Sequence, residues 1–208
     1  MATDEVVAVA RPRRQEGRRA QLVEATARAI AERGLAGLRL KHIADQAGLS
    51  IGSVLYYYPD LDALLAEVHE HVVETFYWQR VSATEAVDDA VAKLTVAVQG
   101  GVPVDATDPT TSALFELHAA ASRTPAHAVL LTQLWDREVS MFEPILAAGA
   151  ADGTFDLRDC PRSIAETVVA LEDAFDLHLA SHNDSVSREL ALQRIFCYLS
   201  LATGREFD

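Results

Sequence analysis

The chain has 208 residues, half of them hydrophobic, and a formal net charge of −13. That much apolar material suits one large or two small cores, and no run of about 18 apolar residues could span a bilayer. No apolar N-terminal stretch with a small-residue cleavage site reads as a secretory signal. The two cysteines, Cys160 and Cys197, form neither a disulfide framework nor a metal motif, so a cytoplasmic protein is expected.

Almost every segment reads at helical period, and none as a strand. "RRAQLVEATARAIAERG" places Leu22, Thr26, Ala29 and Ile30 on one face, with Gly34 as a left-handed cap. A short helix over 40–47, a turn at Gly48–Leu49 and a third helix from Ser50 to about Tyr57 follow, closed by Pro59. Asp60 opens a long fourth helix with an apolar stripe of Leu61, Leu64, Leu65, Val68, Val72 and Phe76. "SATE" (82–85) has the form of a capping box and predicts the start of a fifth helix running to about Gln99. Asp108–Pro109 and Thr124–Pro125 open the sixth and seventh helices, Pro161 the eighth, and a ninth runs from about Val186 to Leu201. The fold class is therefore all-α, nine helices in two domains: a flexible basic arm over 1–14, a three-helix head over 15–59, and a helical body over 60–208.

Charge divides along the same line. Residues 11–58 hold nine Lys/Arg against four Asp/Glu, whereas residues 59–208 hold nine against 25. A basic end on an acidic chain points to a polyanionic partner, or else to a solvated basic tail. Within the basic end, Leu40–Tyr58 satisfies the packing rule of a helix-turn-helix. Ala44 is the small residue inside the corner, Gly48 the bend, and Ile43, Ala47, Leu49 and Val54 face inward. Ser50, Ile51, Gly52, Ser53, Leu55 and Tyr56 are then left outward, where such a helix meets the major groove. Tyr56 and Tyr57 can reach phosphates from the helix end, while Tyr58 packs under the corner.

"GLAGLRLKHIADQAGLSIGSVLYYYPDLDALL" resembles the DNA-binding half of the TetR family, the tetracycline-repressor-like regulators. The close match covers roughly residues 18–68, and the nine-helix layout extends it more loosely to the end. The chain departs from the family pattern in three places. Arg39 and Leu40 stand where a capping Thr is usual, Leu55 stands where the phosphate-binding tyrosine is usual, and Leu61, flanked by Asp60 and Asp62, stands where a lysine is usual. Phosphate contact then leans on Arg39, Lys41, Tyr56 and the arginines from Arg11 to Arg19.

The resemblance implies a homodimer on a palindromic double-stranded operator, with the last two helices pairing through Val168, Leu171, Phe175, Ile195, Phe196 and Leu199. It also implies a small-molecule effector within the central helices, lined by Phe76, Tyr77, Phe115, His118, Trp135, Glu138, Phe142 and Asp173. The acids that interrupt these apolar faces, including Glu116, Glu172 and Asp176, need partners if buried, and a cationic ligand would supply one. No cofactor is implied. His178 and His182, and Glu67 and His71, have a four-residue spacing that can hold a metal, but no third ligand accompanies either pair. No Gly-rich phosphate loop, Gly-x-Ser-x-Gly elbow or His-Glu-x-x-His helix occurs, which speaks against an enzyme. The alternative to a ligand-released repressor is an all-helical adaptor with a degenerate DNA-binding head.

Overall fold

A computed structural model describes residues 4–104 and 108–207, with side chains from Gln15 onward. The arm expected over 1–14 lies outside the residues whose side chains are described. Helices follow in the order α1 (Asp4–Gly37), α2 (Leu40–Ala47), α3 (Ile51–Tyr57), α4 (Leu61–Glu85), α5 (Ala90–Gly101), α6 (Pro109–Ala120), α7 (Pro125–Ala151), α8 (Pro161–Ala180) and α9 (Arg188–Thr203). Among the described residues there is no strand.

Local chemistry explains most boundaries. Gly34 takes φ 66° and kinks α1 before a last turn to Gly37. Gly48 takes φ 64° and directs its N–H at the carbonyls of Ala44 and Asp45, which closes α2 and sets the corner. Ser50 accepts from the Ser53 backbone N–H and starts α3, and Asp60, Asp89, Asp108 and Ser187 cap α4, α5, α6 and α9 in the same way. Arg39 makes no side-chain cap, as its chemistry requires.

Three sequence expectations are corrected. "SATE" does not open a helix: Thr84 bonds back to the Val81 carbonyl (2.7 Å) inside the last turn of α4, and Asp89 caps α5 instead. Thr124 makes no capping bond, leaving Pro125 alone to start α7. The last helix begins at Arg188, because Ser187 supplies the cap.

Two cores hold the molecule. One joins Leu22, Ala25 and Ile30 of α1, Ile43 and Ala47 of α2, Val54 of α3, Leu64, Val68 and Val72 of α4, Leu114 and Leu117 of α6, and Leu134 of α7. The other joins Leu94 and Val98 of α5, Phe142 and Leu146 of α7, Ile164 and Val168 of α8, and Ile195 and Leu199 of α9. Helices α4 and α7 run through both, so the small head is tied to the body by continuous packing. Tyr58 closes the corner of the head: it is buried, with the Arg19 guanidinium 4.5 Å from its ring centre and Glu67 paired to Arg19 at 2.5 Å.

At the far end of α7 a Cβ on Gly149 would run into the Phe155 ring. Gly149→Ala is therefore expected to cost about 1–3 kcal/mol through overpacking, despite alanine's better helix propensity; thermal unfolding that stays at or above the parent's would refute this packing account.

Candidate ligand cavity and DNA-facing helix

The elements of the head leave one face of α3 uncovered. Ile51, Leu55 and Tyr56 are 44, 41 and 71% exposed, an unusual outlay of large apolar side chains on a seven-residue helix. Ser50 and Gly52 are exposed beside them, with Ser53 and Tyr57 half-buried. The hydroxyls of Ser50 and Ser53 bond each other at 2.9 Å. The Tyr56 and Tyr57 rings meet edge to face at 5.2 Å. Arg39 and Lys41 are exposed at the start of α2.

In the body, a cavity of about 270 Å³ lies among α4, α5, α6, α7 and α8. Of the expected lining residues, Phe76, Phe115, His118, Glu138 and Asp173 are on its wall, joined by Leu114, Leu131, Leu134, Glu172, Asp176 and Leu177. Tyr77, Trp135 and Phe142 are not on it. Phe142 lies fully buried in the core, and Tyr77 and Trp135 pack against that core; periodicity put them on apolar faces but could not say which apolar faces enclose space.

The organising group behind this wall is Arg80, 2% exposed. Its Nε and Nη2 donate to the Ala97 carbonyl (3.2 and 2.9 Å), Nη2 donates to both oxygens of Glu172 (2.9 Å each), and Nη1 donates to Glu138. The guanidinium also stands 5.3 and 5.4 Å from the ring centres of Phe76 and Phe142. Gly101 permits this: a Cβ there would fall 2.5 Å from the Glu172 carboxyl and 2.6 Å from Nη2. Burial pushes Glu138 and Glu172 upward against the pull of Arg80. Of the acids that looked in need of a partner, Glu138 and Glu172 thus find one in Arg80, whereas the buried Asp176 Oδ1 does not. Sequence reading missed Arg80, although it continues the α4 stripe four residues beyond Phe76, where a charge must be either exposed or paired.

Beside the cavity three imidazoles meet. His69 Nδ1 and His127 Nδ1 are 2.9 Å apart, and the His69 and His118 rings are 5.2 Å apart. Such a bond requires one ring to donate and the other to accept, and the accepting ring is neutral. The Nε2 atoms of His69 and His118 are buried without hydrogen-bond partners. Burial, reinforced by the neighbouring imidazoles, holds His69 down to about 3 and His118 down to about 4. His118 was expected from the sequence; His69 and His127 were not.

Other expectations change. Val168, Ile195, Phe196 and Leu199 are buried within the chain's own core and leave no surface for a mate; only Leu171 and Phe175 of that set are half-exposed. The uncovered apolar groups here are instead Ala170, Ala174 and Leu177 on α8 and Leu201 on α9. His182 falls beyond the end of α8 with φ 53°, so it shares no helix face with His178, whose Nδ1 bonds Asn183 at 3.0 Å. Glu67 is taken by Arg19. Among the described residues no group of three or more His, Cys, Asp or Glu has metal-binding geometry, and no helix is long and apolar enough to cross a membrane.

Comparison with known proteins agrees with this geometry. Residues 22–68 match the family described as bacterial regulatory proteins, tetR family, and residues 90–203 match the BetI-type transcriptional repressor, C-terminal. The HTH-type transcriptional regulator BetI of Burkholderia thailandensis is 40% identical over 76 residues, 36% of this chain and 39% of that protein. Its counterpart in Paraburkholderia phytofirmans is 43% identical over 68 residues, 33% of this chain and 34% of that protein. The alignments thus span well under half the length of these relatives. A TetR-family transcriptional regulator from a Rhodococcus species superposes with TM-score 0.73 at 25% identity, covering 89% of this chain and 98% of that one. A transcriptional regulator from Saccharomonospora viridis in complex with choline superposes with TM-score 0.79 at 20% identity, covering 88 and 95%; at that identity the likeness is one of fold.

The buried charges generate two expectations. Arg80→Ala leaves two buried carboxyls without their cation and should cost about 3–5 kcal/mol, read by chemical denaturation, whereas replacing Arg80, Glu138 and Glu172 together by apolar residues should recover much of it; equal losses in both variants would contradict the pairing. The histidines act through pH. A base whose folded pKa lies below its unfolded value stabilises nothing extra above about 6.5, and stability falls as pH drops from there toward the folded value. The raised carboxyls work in the opposite sense over the same range, so the informative quantity is the difference between parent and His69→Leu. By pH 5 the variant should have been spared an acid loss on the order of 2 kcal/mol; parallel acid limbs would count against the buried neutral cluster.

Proposed function

Because the chain belongs to the TetR family of bacterial transcriptional regulators, and its relatives are named as regulators rather than enzymes, we propose that it is a ligand-released repressor. Two copies hold a palindromic operator, and a cationic small molecule in the body cavity releases them. The observation that carries DNA binding is the outer face of α3, where Tyr56 stands 71% exposed beside Ile51, Gly52 and Leu55. A monomeric head has no use for such a face in water, while a major groove offers thymine methyls to the apolar groups and phosphates to the hydroxyls. Arg39 and Lys41 supply positive charge at one flank; Asp60 and Asp62 keep the start of α4 off the backbone.

Pairing is supported by the uncovered apolar groups of α8 and α9, with Leu177 52% and Leu201 72% exposed and Leu171 and Phe175 half-buried beside them. One head reads few bases, and a dyad sets two heads one groove repeat apart. The effector reading rests on the cavity: apolar walls with Asp173 and Asp176 on one side and no lysine or arginine on the wall. The choline held by the Saccharomonospora regulator is a ligand of that chemistry.

Coupling runs through α6. One face, with Leu114, Phe115 and His118, lines the cavity. On another, Glu116 accepts from the Leu35 backbone N–H at 2.7 Å, just past the Gly34 kink that ends the main run of α1. A ligand that shifts α6 changes its hold on the head, which is the differential contact that allosteric release requires.

The test begins with duplexes selected from a random library. Lys41→Ala should lower the slope of log affinity against log salt by about 1, and Tyr56→Phe should weaken binding by roughly fivefold through loss of one hydrogen bond, with helical content unchanged in both. A parent protein that binds no duplex at low ionic strength would refute the repressor reading and leave the helical adaptor.

A further inference from the structure

Charge on the cavity wall does not balance. Glu138 from α7 and Glu172, Asp173 and Asp176 from α8 contribute four carboxyls. Arg80 of α4 lies behind the two glutamates and spends its bonds on them and on the Ala97 carbonyl. The wall residues of α5 and α6 add no cation: Gly101 carries no charge, and His118 is held neutral by burial. One guanidinium thus faces four acids. Asp173 is exposed and Asp176, three residues further along α8, is half-buried. The Asp176 Oδ1 atom is buried and has no hydrogen-bond partner.

A carboxylate oxygen without a donor in an apolar enclosure is an unfavourable state, and the neutral acid is the ordinary remedy. We propose that the empty cavity keeps a proton on the Asp173–Asp176 carboxyl pair of α8, and that a cationic effector enters by displacing that proton to solvent. No covalent bond forms; one positive charge replaces another. This rests on the cationic effector proposed above and narrows its class. The effector must keep its charge in an apolar site, as a quaternary ammonium or a strongly basic amine does, because a neutral isostere cannot replace the proton. Burial first, then the charges of Asp173 and Glu138, push the Asp176 carboxyl up to about 8. Affinity should therefore fall about tenfold per pH unit below that point, or about fiftyfold from pH 8 to pH 6.

Two measurements separate this inference from the reading beneath it. In the ligand-free protein, carbon-detected NMR of the aspartate side chains should show one carboxyl with a midpoint near pH 8. That signal should be missing in Asp176→Asn, whose fold is checked by its helical circular dichroism. If every aspartate carboxyl of the parent titrates below about pH 5, the proton store does not exist, whatever binds. Calorimetry with choline in two buffers of different ionisation heat should then show close to one proton released per choline at pH 7, little release in Asp176→Asn, and no binding of choline's uncharged carbon isostere. Choline binding without proton release overturns the exchange and leaves the cationic effector standing. A carboxyl that titrates near 8 in a protein that ignores choline and other quaternary ammonium ions removes the cationic effector, and the exchange with it.

Discussion

A single guanidinium, Arg80, sits where four helices meet the cavity. It binds Glu138 of α7, Glu172 of α8 and the backbone of α5 from its own place on α4. Without it the second core would contain two buried acids with no counter-charge, a condition proteins avoid. With it, the α4, α7 and α8 walls are cross-linked by directed bonds rather than by apolar contact alone, and a cavity can persist beside them. Apolar packing tolerates sliding, whereas a fork of fixed donors does not. The shape of the cavity is thus set by polar geometry on one side and by leucine and phenylalanine side chains on the other.

The same division of labour separates the two ends of the molecule. The head uses ordinary apolar packing, a glycine corner and serine and aspartate caps, and leaves its outer helix bare. The body concentrates its unusual groups around the cavity: an arginine with two glutamates, three histidines, and two aspartates, one exposed and one half-buried. Helix α4 passes from one environment to the other, carrying Leu64 and Val68 at the head and Arg80 at the chamber. Helix α4 thus joins the Arg80 cluster to the head, and α6 makes a second contact with the head through Glu116 and Leu35.

How far the fold could be read from residues alone follows from the range of the forces involved. Helix period, Gly48 and Ser50 act over a few residues, and the corner was legible from them. The Ser82–Glu85 spacing misled because a Ser three residues before a Glu looks alike at either end of a helix; the bond from Thr84 back to the Val81 carbonyl marks this one as an end. Val168, Ile195 and Leu199 were correctly apolar and on shared faces, but periodicity does not say whether the chain or a second copy covers a face. Phe76 and Phe115 border the chamber whereas Trp135 and Phe142 do not, for the same reason. The Arg80 cluster joins positions 80, 138 and 172, and no local pattern connects residues that far apart; the available hint was one charge on an otherwise apolar stripe.

Gly101 carries a lesson for anyone who would reshape this cavity. It has no special backbone angle and would pass for an ordinary helix-end residue, yet Glu172 and Arg80 occupy the space a methyl group would need. The chamber therefore has a rigid floor and a forgiving ceiling. Libraries that vary Phe115 and Leu131, which line the cavity but belong to neither core, can reshape its volume while keeping the ionic floor intact. Diversity at Gly101 would instead dismantle the scaffold on which any new specificity must rest.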